Sequence, residues 1–169
     1  MIVLEGPDGG GKSTLAHRLS EVLNWPVVKS KGPPADQEEL LARIDAYRKM
    51  GPYIIFDRHP IVSNTIYGKV SMRPEIPKFM IDQFYFGHGF LIYVRSTSPK
   101  RATADRAFDT PEHVNMYKEN YQTLVDYYDE WAVHHANYIY RMYDLPHPLI
   151  AAVRSYAMSI EASPLAEKR

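Results

Sequence analysis

The stretch Gly6-Pro7-Asp8-Gly9-Gly10-Gly11-Lys12-Ser13 constrains this chain more than any other feature, because it fits the pattern G-x-x-x-x-G-K-[ST]. In a chain of 169 residues, average residue frequencies make a chance match rarer than roughly one in a hundred. The apolar run Ile2 to Leu4 precedes it as a short strand, and Leu15, Leu19, Val22 and Leu23 follow at helical spacing. Strand, Gly-rich turn and helix in that order let backbone N–H groups point inward around phosphate oxygens at the positive end of a helix. The residues expected to hold a nucleotide are therefore Gly6, Asp8, Gly9, Gly10, Gly11, Lys12, Ser13 and Thr14. Lys12 would place a charge on the β and γ phosphates, and the Ser13 hydroxyl would join a Mg²⁺ shell. ATP and Mg²⁺ are the cofactors this implies. The competing reading is a Gly-rich turn with a solvated lysine.

The rest of the chain decides what surrounds such a loop. Lys and Arg total 20 and Asp and Glu total 20, so there is no global field to hold a nucleic acid polymer, and cationic chemistry must be local. With no Cys there is no disulfide framework, thiolate metal site or Cys nucleophile. The opening apolar run is too short for a signal peptide, and no stretch approaches 18 apolar residues, so a cytoplasmic location and no membrane partner are expected.

Trp25 to Val28, Tyr53 to Phe56, Phe90 to Val94 and Tyr138 to Tyr143 read as four further strands. Between the first two, Asp36 and Glu39 form a capping box ahead of Leu40, Leu41, Ile44 and Tyr47, and Gly51-Pro52 stops that helix. Residues 60 to 86 read as helical, with breaks at Gly68 and Pro74. Val114, Tyr117, Tyr121, Leu124, Tyr128 and Trp131 mark a long amphipathic helix, and Pro148 opens another. The tyrosines mostly follow helical spacing, which predicts packed rings with hydroxyls at the rim. The adjacent His134 and His135 point about 100° apart on a helix and cannot chelate one metal together.

Five short strands alternating with helices predict one domain over residues 1–169, with a five-stranded parallel sheet covered on both faces and a tail loose from about residue 163. In such open sheets ligands bind beyond the carboxyl ends of the strands. Gly6 to Ser13, Lys29 to Lys31, Asp57 with Arg58, and Arg95 would converge there.

Asp57-Arg58, followed by Ser63-Asn64-Thr65-Ile66-Tyr67, together with Glu5-Gly6-Pro7-Asp8-Gly9, resembles the thymidylate kinase family of nucleoside monophosphate kinases. That family carries an E-G-x-D/E-G-x-G-K-S/T loop and a later D-R-Y/H segment with a Ser and, four residues on, a Tyr; Ser63 and Tyr67 keep this spacing. The resemblance implies the three-layer fold of P-loop nucleoside triphosphatases and transfer of the γ-phosphate of Mg-ATP to the 5′-phosphate of a deoxynucleoside monophosphate, dTMP or a related pyrimidine. It also implies that Arg58 holds the acceptor phosphate, Asp57 orients Mg²⁺ or the acceptor, and Asp8 lies near the 3′-hydroxyl. Tyr67 would bar a ribose 2′-hydroxyl and Asn64 would meet the base edge. A lid at about residues 96–110 would bring Arg101 and Arg106 to the transferring phosphoryl group, with Arg95 and Lys100 nearby. The loop Asp144 to His147 would flank adenine, and a homodimer is possible.

Each assignment has a plainer counterpart: a strand-end ion pair for Asp57 and Arg58, helix packing for Asn64 and Tyr67, and a solvated basic face for Arg101 and Arg106. The family's R-E-P-G and F-x-x-x-R motifs are absent, and one extra residue separates Arg58 from Ser63. Base stacking would then fall to Phe84, Tyr85 or Phe86, although an aromatic stripe at helical spacing is more often core. Two other functions remain open: a kinase for a nucleoside or another small hydroxyl compound, and a switch that hydrolyses nucleotide to regulate a partner.

Overall fold

All four residues of β1 (Ile2–Glu5) are buried, which an extended segment achieves only with a strand on each edge and a helical layer on each face. In the computed structural model, which describes residues 1–87, 89–96, 111–141, 144 and 146–162, β1 is the central strand. The sheet order is β2 (Val27–Lys29), β3 (Ile55–Asp57), β1, β4 (Phe90–Arg95) and β5 (Tyr138–Arg141), with every pairing parallel. Ile2 lies opposite both Ile55 and Phe90, so the carboxyl ends of β1, β3 and β4 finish along one edge.

Alternation along the strands sorts the apolar side chains into two cores. Val3, Phe56, Leu91 and Tyr93 pack under α2 (Gln37–Arg48), α3 (Pro60–Tyr67), α4 (Lys78–Phe86) and α5 (Pro111–His135). Ile2, Leu4, Ile55, Ile92 and Val94 face α1 (Lys12–Leu23) and α6 (Pro146–Glu161). The α/β class and the covered parallel sheet are therefore as the sequence predicts, and Tyr117, Tyr121, Leu124, Tyr128 and Trp131 all turn inward.

Several boundaries differ. β2 starts at Val27 because Pro26 has no N–H to give a ladder, although its carbonyl accepts from Ile55 N at 2.9 Å. Tyr53 stays outside β3, half-exposed and edge-on to Trp25 at 5.5 Å. Residues 60 to 86 form two helices, with Gly68 ending α3 and Pro77 preceding α4. α6 begins at Pro146, so Pro148 falls inside its first turn, where the missing N–H would have no helical partner. The capping box closes with a shift: Asp36 Oδ1 accepts from Glu39 N at 2.8 Å, while Glu39 Oε2 accepts from Ala35 N at 2.6 Å. The lid with Lys100, Arg101 and Arg106, the extension of β5 to Tyr143 and the tail lie outside the described residues. Among the described residues, no helix is long and apolar enough to cross a membrane.

Candidate functional site

β1 delivers the Gly-rich turn to the carboxyl edge of the sheet, beside the end of β4. Gly6 has φ 145, and a Cβ there would overlap the Val94 carbonyl oxygen, so no other residue fits. Gly11, in the left-handed region at φ 87, caps α1 without a side-chain hydrogen bond, so no cap side chain masks the first-turn N–H groups from an anion. Lys12 is buried, and its Nζ donates to Pro7 O at 2.6 Å. Burial, and then the nearby Arg58 guanidinium, push its pKa down to about 7 against the pull of Asp8, Asp57 and Glu5. Ser13 Oγ donates to Asp57 Oδ2 at 2.6 Å, although 44 residues separate them. That sets a hydroxyl beside a carboxylate at the start of α1, the hard-oxygen pair that suits Mg²⁺, which takes few protein ligands and completes its shell with phosphates and water. Thr14 follows on α1 and is exposed.

A second polar cluster adjoins the turn. Arg58, just past β3, has φ 75, an unusual conformation for an arginine, and its N–H donates to Leu4 O at 3.0 Å. Its guanidinium donates to Asp8 Oδ1 at 2.5 Å, Tyr128 OH at 3.1 Å and Tyr67 OH at 3.2 Å. Glu5 Oε2 lies 3.7 Å away. Glu5 is fully buried and accepts from His59 N at 2.7 Å, Ser63 Oγ at 2.9 Å and Tyr128 OH at 3.0 Å. Burial raises its pKa, and Arg58, the hydrogen bonds from His59 N and Ser63 Oγ, and Lys12 oppose the rise. Burial also pushes Tyr67 up to about 12, which keeps the phenol a donor. Tyr117 OH accepts from Asp8 N.

The structure therefore gathers Gly6 to Thr14, Asp57, Arg58 and Tyr67 at one edge, as the sequence leads one to expect. It does not pair Asp57 with Arg58: Asp57 turns to Ser13 and Arg58 to Asp8. Asn64 is buried, and its Nδ2 donates to Pro74 O at 2.5 Å. The buried amide thus spends one N–H on its own segment, and its Oδ1 has no partner among the described residues. Arg95 is held by Asp129 Oδ2 at 2.5 Å, whose other oxygen accepts from Tyr93 OH at 2.7 Å. Phe84 stacks on His59 at 4.4 Å, Tyr85 stacks on His135 at 3.9 Å, and Phe86 is exposed, so these aromatics serve α4 packing and surface.

Sequence reasoning misses Glu5, Tyr117 and Tyr128. Glu5 carries a usable signal, since an acid that ends a buried apolar strand needs donors around it. The tyrosines carry none, because Tyr117 and Tyr128 share the spacing of the core residues Tyr121 and Leu124. Their hydroxyls, and that of Tyr67, reach the cluster instead of the rim. A cavity of about 420 Å³ between α2 and α4 is lined by Met1, Gly51 and Gly87, which precede their strands, and also by His59 and Ile61, which follow β3.

No family model matches the sequence, and no curated protein does. Solved structures match the fold. The YorR protein of Bacillus subtilis, in complex with phosphorylated GDP, is 20% identical over 95% of this chain and 96% of its own, with a TM-score of 0.65. A deoxyadenosine kinase from M. mycoides, with dCMP and a flexible dCDP bound as products, is 21% identical over 94% of this chain and 98% of its own, with a TM-score of 0.59. The same kinase with dATP bound gives 16% identity, 91% and 97% coverage, and a TM-score of 0.57.

Proposed function

We propose that this protein is a Mg-ATP-dependent kinase that phosphorylates the 5′-phosphate of a deoxynucleoside monophosphate, dTMP or a related pyrimidine. The observation that carries the proposal is the Asp8–Arg58–Tyr67–Tyr128 cluster set against the Gly-rich turn. A switch that only hydrolyses its nucleotide needs a water at that position, whereas this protein supplies a second polar site suited to a small acceptor. The fold it shares with the deoxyadenosine kinase supports a small-molecule kinase in general.

On this reading, the turn and Lys12 grip the triphosphate, and Ser13 and Asp57 would hold Mg²⁺, which when bound neutralises charge on the phosphates. Arg58 orients the acceptor with Asp8, and Tyr67 closes on its sugar. Holding two anions in line and balancing their repulsion is most of what such a transfer requires, so no covalent intermediate is invoked. Asn64 remains the base-edge candidate on the sequence resemblance alone. Arg101 and Arg106 remain the lid candidates on sequence grounds.

One observation favours a second reading, a nucleoside kinase: Arg58 already faces two carboxylates, Asp8 and Glu5, which suits a sugar hydroxyl as well as a phosphate. ADP production across a panel of nucleosides and nucleoside monophosphates separates the two. Release stimulated by pyrimidine deoxynucleoside monophosphates supports the proposal. Release with nucleosides alone moves it to the second reading, and no release with any small acceptor ends both. Lys12→Ala should lower kcat by roughly 100-fold or more, as losing one charge-stabilising donor does elsewhere, and wild-type turnover in that variant refutes the assigned lysine.

A further inference from the structure

We infer that Arg73, on the segment between α3 and α4, is the cation that receives the phosphate of the acceptor; this rests on the kinase reading above. Arg73 Cζ lies 4.7 Å from the centroid of the Tyr67 ring, and Arg58 Cζ lies 5.3 Å from the same centroid. The two guanidiniums are thus neighbours through one phenol at the rim of the Asp8–Arg58 cluster. They differ in what meets their charge. Arg58 has Asp8 and Glu5. The cations Arg43, Arg48, Lys49, Lys69 and Arg95 each have a carboxylate within 4 Å. Arg73 touches the Tyr67 ring and donates from Nε to Ser71 Oγ at 3.3 Å, with no carboxylate partner among the described residues.

Arg73 is also held in place. Its segment is tied down at three points: Ser71 Oγ donates to Tyr67 O at 2.9 Å, Asn64 Nδ2 to Pro74 O at 2.5 Å, and Gln37 Nε2 to Glu75 O at 2.9 Å. Gly68 makes the turn possible, since a Cβ there would sit 2.8 Å from Asn64 O. Partial burial disfavours the charged guanidinium, and an arginine stays charged regardless. Asp8 attracts the guanidinium from beyond ion-pair distance, and a charge drawn partly out of water without a carboxylate in contact is a cost that a bound anion lowers. Beside the acceptor cluster, the anion a small acceptor brings is its own phosphate monoester, which a planar guanidinium clasps through paired hydrogen bonds. Arg73 would therefore make this a site for nucleoside monophosphates over nucleosides, with Asn64 as the positioning residue that fixes its segment.

The test compares wild type, Arg73→Ala and Arg73→Lys by calorimetric titration with dTMP, dCMP, thymidine and deoxycytidine, alongside steady-state kinetics. The expected result is a loss of about tenfold or more in monophosphate affinity in Arg73→Ala, the scale of one charged hydrogen-bonding partner. Nucleoside affinity and KM for ATP should stay within about twofold, and Arg73→Lys should recover part of the loss. Equal losses for nucleotide and nucleoside would mean that Arg73 only shapes Tyr67, and would overturn the inference, as would no loss at all. The titration does not depend on turnover. Wild type that binds dTMP no better than thymidine removes Arg73's role even if ADP is released, whereas Arg73-dependent dTMP binding without ADP release sinks the kinase reading alone.

Discussion

His59 and Glu5, joined by a hydrogen bond from His59 N, are buried titratable neighbours that answer acid in opposite ways. The His59 ring is wedged among Tyr47, Phe56 and Phe84 and accepts from Ile61 N at 3.3 Å, and burial pushes its pKa down to about 3. A depressed histidine contributes its stability in full above its unfolded value of about 6.5 and loses it as the pH falls from there through about 3. In that window the loss is about 1.4 kcal/mol per pH unit. Glu5 has the opposite sign: its raised pKa favours the folded state at low pH and costs stability as the pH rises through the folded value. Thermal melts from pH 7 to pH 4 should therefore fall more steeply for wild type than for His59→Phe, which keeps the ring packing and cannot take up a proton. Equal slopes would show that His59 is not buried as described. The sequence made Arg58 and Lys12 legible because their neighbours form a spaced pattern. Glu5 and the two hydroxyls that donate to it, of Ser63 and Tyr128, come from distant parts of the chain, and no local spacing records that meeting.

At the scale of the element, the turns and caps were the legible part. Asp36 announces α2, and the structure has its carboxylate on Glu39 N at 2.8 Å. Asp36→Ala should cost about 1 kcal/mol, which for a domain of this size lowers Tm by about 3 °C. Because the cap lies away from the Gly-rich turn, nucleotide affinity should not change; an unchanged Tm would mean that the cap is not formed in solution. The boundaries that sequence missed fail for tertiary reasons. Tyr53 has the composition of a strand residue, but pairing begins at Ile55, where Pro26 O waits for an N–H. Pro148 looks like a first helical residue, and only packing against α1 decides that α6 starts at Pro146. The segment carrying Arg73 is the extreme case: Gly68 and Pro74 mark a break, yet nothing local says that Asn64 will fold it back over Tyr67.

For the whole molecule, the covered, parallel five-stranded sheet was legible from five apolar runs with helical crossovers, whereas its order β2-β3-β1-β4-β5 was not. The site was legible to the extent that the fold puts every strand end on one edge. What sequence could not supply was the division of the helices, α1 and α6 beneath and α2 to α5 above, which decides that the hydroxyls of α5 arrive over Arg58. The central strand carries a last consequence. Val3 and Leu4 are sealed on both faces and flanked by a strand on both sides, so their amides should be among the slowest to exchange with deuterium, surviving until the entire molecule opens. Rapid labelling there would contradict the arrangement. A ligand-gripping turn that grows directly out of such a strand is anchored to the part that breathes least, and its geometry is ready before any guest arrives.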